Sequence, residues 1–285
     1  MEILIVNDDG IHSNGIFDLA TKFREMGNVT VVAPDKQMSA MSHALTTSTP
    51  LRTREVSINN KPFGFAVSGT PADCVKWAII SLLKKKPDMI LSGINHGRNT
   101  GVNIMYSGTV AAAAEGHLLG IPSVAVSLSS HNPEKETTTA ANYAYDIVNK
   151  IYIQNKNNFA PDLFLNINVP AIKPEEIKGV RFVKASSSFW DDDYEKRVDP
   201  FGRIYYWFNG AYVYDEADTE TDDTAVDAGY VAVTPLQYSF TNLGQLEKIK
   251  SIENALNNNN NNNIISSKLD SEIELKNINK DLIEE

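Results

Sequence analysis

Asp8 and Asp9 stand side by side directly after Ile3-Leu4-Ile5-Val6, flanked by Asn7 and Gly10. Two adjacent carboxylates repel each other, so the pair is costly unless a cation, an Arg or Lys, or a proton compensates it. A hard divalent metal is the simplest compensation, because such ions take oxygen ligands. The competing reading is a polar turn in which Asp9 or a later polar residue caps a helix and Gly10 supplies a positive φ. Other stretches offer matching chemistry. Ser39, in the polar loop after Pro34-Asp35, brings a hydroxyl, and Asn95 and Asn99, in the glycine-rich run Gly93 to Gly101, bring amides. Ser107-Gly108-Thr109 precedes the alanine run Val110 to Glu115. A helix starting there presents unpaired amides, two hydroxyls and the positive end of its dipole, which suits a phosphate; an ordinary N-cap is the competing reading.

These residues need a scaffold that brings them together. Ile3 to Val6 reads as a strand buried on both faces, and the acid pair would sit at its carboxyl end, the edge where ligands bind in an open parallel sheet. Ile16, Leu19, Ala20, Phe23 and Met26 then recur at helical spacing, with Ser13 or Asn14 able to cap the start. Further strands are expected over 29–33, 63–67, 88–92, 121–127 and 163–167, with helices after Thr70-Pro71, after Ser107 and from Ala140 to Ile153. This alternation predicts an α/β core over residues 1–180, a doubly wound, largely parallel Rossmann-like sheet covered on both faces. Between 181 and 245 the pattern changes to short alternating segments, with Asn209-Gly210 as a hairpin signal. A C-terminal β-hairpin extension and a closing segment are expected there, the exposed aromatics of the extension suiting a subunit interface. The aspartates from Asp215 to Asp227 read as a solvated acidic loop. Over 246–285, an asparagine tract, Asn257 to Asn263, reads as a disordered linker before an acidic tail that is weakly helical or without fixed structure.

With 285 residues, 42% of them hydrophobic, the chain can bury a large core. A formal charge of -10 argues against a broad basic surface for polymeric nucleic acid, yet leaves room for a small anion in one pocket. The single cysteine, Cys74, cannot form an intramolecular disulfide and reads as a buried core thiol. The sequence opens on strand residues without a basic leader, and no apolar run reaches the length of a bilayer span. A cytoplasmic protein without a membrane partner is expected.

Several stretches together resemble the SurE survival-protein family, metal-dependent phosphatases of nucleoside 5′-monophosphates. They are Ile5-Val6-Asn7-Asp8-Asp9-Gly10, Val32-Ala33-Pro34-Asp35, Gly69-Thr70-Pro71-Ala72-Asp73-Cys74-Val75 and Ser92 to Gly101, continued by Tyr106-Ser107-Gly108-Thr109-Val110. Asp199-Pro200-Phe201-Gly202-Arg203 and Gly229 to Leu236 extend the likeness to about residue 243. The resemblance implies a homodimer with exchanged C-terminal segments, assembling in some members to a tetramer. It also implies one divalent cation per subunit, Mg2+ or Mn2+, held by residues matching Asp8, Asp9, Ser39 and Asn95. Asn95, Ser107, Gly108 and Thr109 match the phosphate-binding set. Lys36 to Ser42 carries less Gly and Ser than the family's serine loop, and the tail after Gln245 has no counterpart in it.

The expected reaction is hydrolysis of a nucleoside 5′-monophosphate to nucleoside and phosphate by a metal-activated water attacking in line. Asn95 and Ser107 to Thr109 would stabilise the equatorial oxygens, and Asp8 or Asp9 would orient the water or accept its proton. Side activity on 3′-nucleotides or short polyphosphate is compatible with the same site. A covalent aspartyl-phosphate is disfavoured because the aspartates are adjacent, whereas known enzymes of that kind separate them by one residue. His12, His43, His96, His117 and His131 show no metal spacing. A passive nucleotide-binding module would have little reason to place two carboxylates beside a phosphate cradle. A sugar-nucleotide transferase would need a second nucleotide-binding half that the hairpin region does not supply.

Overall fold

The computed structural model describes residues 1–132, 134–155, 162–253 and 256–257. The chain divides into two units, residues 1–237 and 238–285. Among the described residues of the first, eleven strands form in chain order: β1 (Glu2–Val6), β2 (Asn28–Pro34), β3 (Thr53–Ile58), β4 (Lys61–Val67), β5 (Met89–His96), β6 (Ser123–Ser129), β7 (Phe164–Pro170), β8 (Val180–Phe182), β9 (Phe189–Val198), β10 (Ile204–Val213) and β11 (Val231–Pro235). Nine of them make one sheet in the order β3-β4-β2-β1-β5-β6-β7-β11-β8. The run from β4 to β7 is parallel throughout, while β3 and β11 join it antiparallel.

β1 lies in the middle of this sheet and shows why a continuous apolar run was needed. Its side chains alternate between faces, as strand geometry requires. Ile3 and Ile5 join the core under helices α1 (Asn14–Phe23) and α5 (Thr138–Val148). Leu4 and Val6 join the opposite core with Cys74 and Val75 of α2 (Pro71–Trp77) and Ala112 of α4 (Gly108–Leu118). A short α3 (Asn103–Tyr106) leads into α4. The start of α2 follows its sequence signals: Thr70 Oγ1 accepts from the Asp73 amide at 3.1 Å, Asp73 Oδ2 accepts from the Thr70 amide at 2.9 Å, and Pro71 takes the first helical position. Ser13, one of the two residues expected to cap α1, takes the N-cap position, but its hydroxyl accepts from Asn7 Nδ2 at 2.8 Å and so braces the acid loop.

Three features depart from the sequence reading. β3 is an edge strand in a stretch with little apolar patterning; only Val56 of its six residues is buried. Within 181–245, β8 and β11 belong to the main sheet, so β9 and β10 alone leave it as a hairpin. That hairpin turns at Asp199–Arg203, and Asn209-Gly210 lies within β10 opposite Asp193 and Asp192. The Asp199 carboxylate decides this. It accepts from the Phe201 and Arg203 amides at 2.8 and 2.9 Å and from Arg203 Nε at 3.1 Å, while Gly202 takes a φ of +78°. The second unit contains α7 (Leu243–Lys250), which Asn242 caps through the Gln245 amide. Most of the asparagine tract and all of the acidic tail beyond it lie outside the described residues.

Candidate active site

Asn7 directly follows the last residue of β1, and its side chain folds the loop. Asn7 Nδ2 donates to the Gly10 carbonyl at 3.0 Å, and Asn7 Oδ1 accepts from the Gly10 amide at 3.2 Å. Asp8 is thereby turned toward the first turn of α4, where the Thr109 hydroxyl donates to Asp8 Oδ1. The approach is tight: a Cβ on Gly108 would stand 2.9 Å from Asp8 Cβ. Only 3% of Asp8 is exposed. Burial above all, with the Asp9 charge adding to it, pushes the Asp8 carboxyl up to about 7 against the opposing pull of Thr109.

Asp9 faces a different set of partners. Its Oδ2 accepts from the His96 amide at 3.2 Å and lies 3.7 Å from His96 Nδ1, and its Oδ1 accepts from Gln37 Nε2 at 3.3 Å. Gln37 Nε2 also reaches Ser39 Oγ at 2.9 Å, and the Met38 amide donates to the Asp8 carbonyl at 2.7 Å. The loop after β2 is thus tied to both aspartates. Asn95 arrives from β5, whose pairing with β6 slips between Ser92 and Asn95; such irregularities re-aim side chains. Its Nδ2 donates to the Gly97 carbonyl at 2.7 Å, so the side-chain oxygen is the atom left to ligate. Ser107 caps α4 through the Val110 amide at 3.1 Å.

Asp8, Ser39, Asn95 and Ser107 line one cleft of about 370 Å³. Asp9 borders a second cavity that shares the walls Ser39, His96 and His131 with the first. Thr109, expected as a phosphate contact, lies in the first turn of α4 beside Ser107 and Gly108. It is fully buried, and its hydroxyl is committed to Asp8. His43 pairs with Glu115 at 2.9 Å and His117 stacks on Phe164, whereas His12, His96 and His131 border the site cavities.

The sequence reading missed Gln37, whose nearness to Ser39 was the only local signal, and the far wall of the cleft. Arg98, Asn103, Trp190 and Tyr212 line that wall, and no spacing in the chain pairs residues so far apart. It also missed what holds the wall. Asp222 and Asp223, at the start of α6 (Asp222–Asp227), are fully buried rather than part of a solvated loop, because backbone amides and hydroxyls from several segments converge on them. Burial chiefly raises Asp222 to about 6.

Among the described residues, no cluster of three or more His, Cys, Asp or Glu side chains is arranged to hold a metal. A cation at this edge would therefore depend on Asp8 and Asp9 together with neutral oxygens from Ser39 and Asn95. That all-oxygen set fits a hard divalent ion, and a buried carboxylate driven toward its protonated form beside a second acid fits a missing positive charge.

An open, mostly parallel α/β sheet with an acid pair and a helix start at its carboxyl edge defines a Rossmann-like protein. The match to known proteins is more specific. The model of the family described as survival protein SurE matches residues 3–192. The 5′-nucleotidase SurE of Chlorobium phaeobacteroides is 43% identical over 249 residues, covering 86% of this chain and 95% of that protein. That of Thermosipho africanus is 43% identical over 251 residues, covering 88% and 96%. The crystal structure of the SurE protein from Aquifex aeolicus superposes with a TM-score of 0.76 at 39% identity, covering 89% of this chain and all of that one. The chain belongs to the SurE family.

Proposed function

We propose that this chain is a 5′-nucleotidase, a phosphoric monoester hydrolase that releases phosphate from nucleoside 5′-monophosphates with the help of one divalent cation, Mg2+ or Mn2+. The likeness to 5′-nucleotidase relatives over most of the chain supports the reaction class. The observation that carries the reading is the buried Asp8 carboxylate, held by Thr109 beside Asp9 at a cleft shared with Ser39, Asn95 and Ser107.

When bound, the cation supplies Lewis acidity to the phosphate and acidifies water for the attack. The chain's own groups do the rest. Asp8 and Asp9 carry the negative charge that retains the cation, and one of them accepts a proton from the attacking water. Asn95, through the second hydrogen of its Nδ2, and the first-turn amides of α4 present donors to the phosphate oxygens. Thr109 fixes the rotamer of Asp8 and favours its ionised form. Side activity on 3′-nucleotides or short polyphosphate belongs to the same proposal.

The hairpin supports a homodimer. Tyr194, Phe201, Tyr206, Trp207 and Phe208 are all more than half exposed on β9–β10 and its turn, an aromatic surface that a second copy of the chain would cover. Exchange of C-terminal segments between subunits, and further assembly to a tetramer, belong to the same reading. No helix among the described residues is long and apolar enough to cross a membrane. A reduced, buried Cys74 and a nucleotide substrate suit the cytoplasm.

The deciding experiment measures inorganic phosphate from a panel of nucleoside monophosphates with and without a chelator. Release that chelation abolishes and Mg2+ or Mn2+ restores is the expected result. Activity indifferent to chelation would remove the cation from the proposal, and no release from any nucleotide would remove the reaction.

A further inference from the structure

We propose that the Asp222–Asp223 pair is a positioning device that locks the hairpin to the loop after β5 and thereby sets the substrate-facing wall of the cleft. The inference rests on the phosphatase reading for its kinetic consequence, but its structural content stands apart from it.

Both carboxylates have no exposed surface, and desolvating two adjacent acids is costly unless donors satisfy them. Here the donors come from three separate stretches of chain. Asp222 Oδ2 accepts from the Gly101 amide at 3.0 Å, and its Oδ1 accepts from the Ser186 and Asp223 amides, each at 2.9 Å. Asp223 Oδ1 accepts from the Thr100 hydroxyl at 2.5 Å. Its Oδ2 accepts from the Ser186 hydroxyl and, at 2.7 Å, from the Tyr212 hydroxyl. Thr100 and Gly101 end the loop that carries Arg98 and Asn99, Ser186 leads into β9, and Tyr212 lies in β10. Arg98, Asn99 and Tyr212 all line the cleft.

Neighbouring contacts close the junction. The Val102 amide donates to Ser188 Oγ at 2.8 Å, and Trp190 Nε1 donates to Asn103 Oδ1 at 2.9 Å. Gly101, at a φ of +50°, has no room for a side chain: a Cβ would stand 2.0 Å from Ser188 Oγ. On its other side the loop is pinned by Asn168, whose Oδ1 accepts from the Asn99 amide at 2.8 Å. Its cleft face is therefore fixed between the sheet and the acid pair. An apolar plug of equal volume would fill the space, but it would give the backbone amides of Gly101 and Ser186 no acceptors to set their register.

Asp222→Asn, Asp223→Asn and Tyr212→Phe, each in the full chain, test this by phosphate-release kinetics and by hydrogen exchange of segment 97–103. Far-ultraviolet circular dichroism checks the fold. The expected result is KM raised about tenfold with kcat changed by less than about threefold, the signature of lost substrate positioning. Exchange at Gly101 and Val102 should accelerate while the amides of β1 stay protected. Folded variants whose KM and local exchange both match the parent would overturn the proposal, as would acceleration spread evenly over the sheet. Should the aspartate variants fail to fold, Tyr212→Phe decides, since it removes one donor and keeps the ring. Should the parent chain release no phosphate, the nucleotidase reading fails by itself and the exchange pattern alone judges the positioning role.

Discussion

The Thr109 hydroxyl donates to Asp8 Oδ1, joining the first turn of α4 to the acid loop. This bond favours the ionised carboxylate, so removing it lets burial act unopposed. Thr109→Val, nearly isosteric, should raise the Asp8 pKa further. The acid limb of the kcat/KM profile should move to higher pH, and kcat at neutral pH should fall by about tenfold, in line with the worth of a hydrogen bond to a charged group. A pH–rate profile of both proteins checks it; an unmoved limb would separate Thr109 from the chemistry.

Stability should depend on pH through the same carboxyl. The folded value near 7 lies above the ordinary 3.8, so between these limits the native protein holds a proton that the unfolded chain has lost. Stability of the cation-free protein should accordingly fall as pH rises from about 4 to about 7. Asp222, raised to about 6, adds the same sign over a narrower window. Asp8→Asn should abolish phosphate release yet unfold at a higher temperature than the parent at pH 8 in chelator. Thermal melts across pH would show the slope reduced but not erased.

Adding Mg2+ or Mn2+ at pH 8 should raise the melting temperature of the parent by mass action on the native state. The gain should vanish in Asp8→Asn and shrink in Asn95→Ala. Equal gains in all three would place the ion elsewhere.

Gly108→Ala should be among the most damaging small changes. Its methyl would meet Asp8 Cβ at 2.9 Å, forcing the carboxylate and the helix start apart. A stability loss of about 1–3 kcal/mol is expected from such overpacking, with a still larger loss of activity. Denaturant titration paired with phosphate release measures both.

The position of the hairpin turn gives a contrast between two substitutions. Gly202→Ala forces an L residue to a φ of +78° and should cost about 1 kcal/mol locally. Asn209→Ala, in mid-strand, should be nearly neutral. Limited proteolysis of the hairpin reports the difference; equal cleavage would return the turn to Asn209-Gly210.

How far the sequence could be read follows from the range of the forces involved. The buried run Ile3 to Val6, the capping signals at Thr70 and the alternation of strands with helices are local, and the parallel core follows them. Asp8, Ser39, Asn95 and Ser107 were legible because each leaves the carboxyl end of a strand or opens a helix beside one, and the sheet brings those ends together. β3 escaped notice because an edge strand needs little apolar pattern. Asn209-Gly210 misled because its backbone freedom permits a turn, whereas the Asp199 side chain makes one. Asp222 and Asp223 read as solvated because acidity is visible in a sequence and convergence of distant amides is not. The bond from the Thr109 hydroxyl to Asp8 was invisible for the same reason: its partner lies 101 residues away.

The central place of β1 has a kinetic meaning. Its acid loop is satisfied by partners 28, 87 and 101 residues distant, at Gln37, His96 and Thr109. Contacts of such long sequence separation incur loop-closure entropy before they return any energy, which predicts that they form late on the folding path. Substitutions among them should then act chiefly on how long the native state survives, and little on how quickly it is reached.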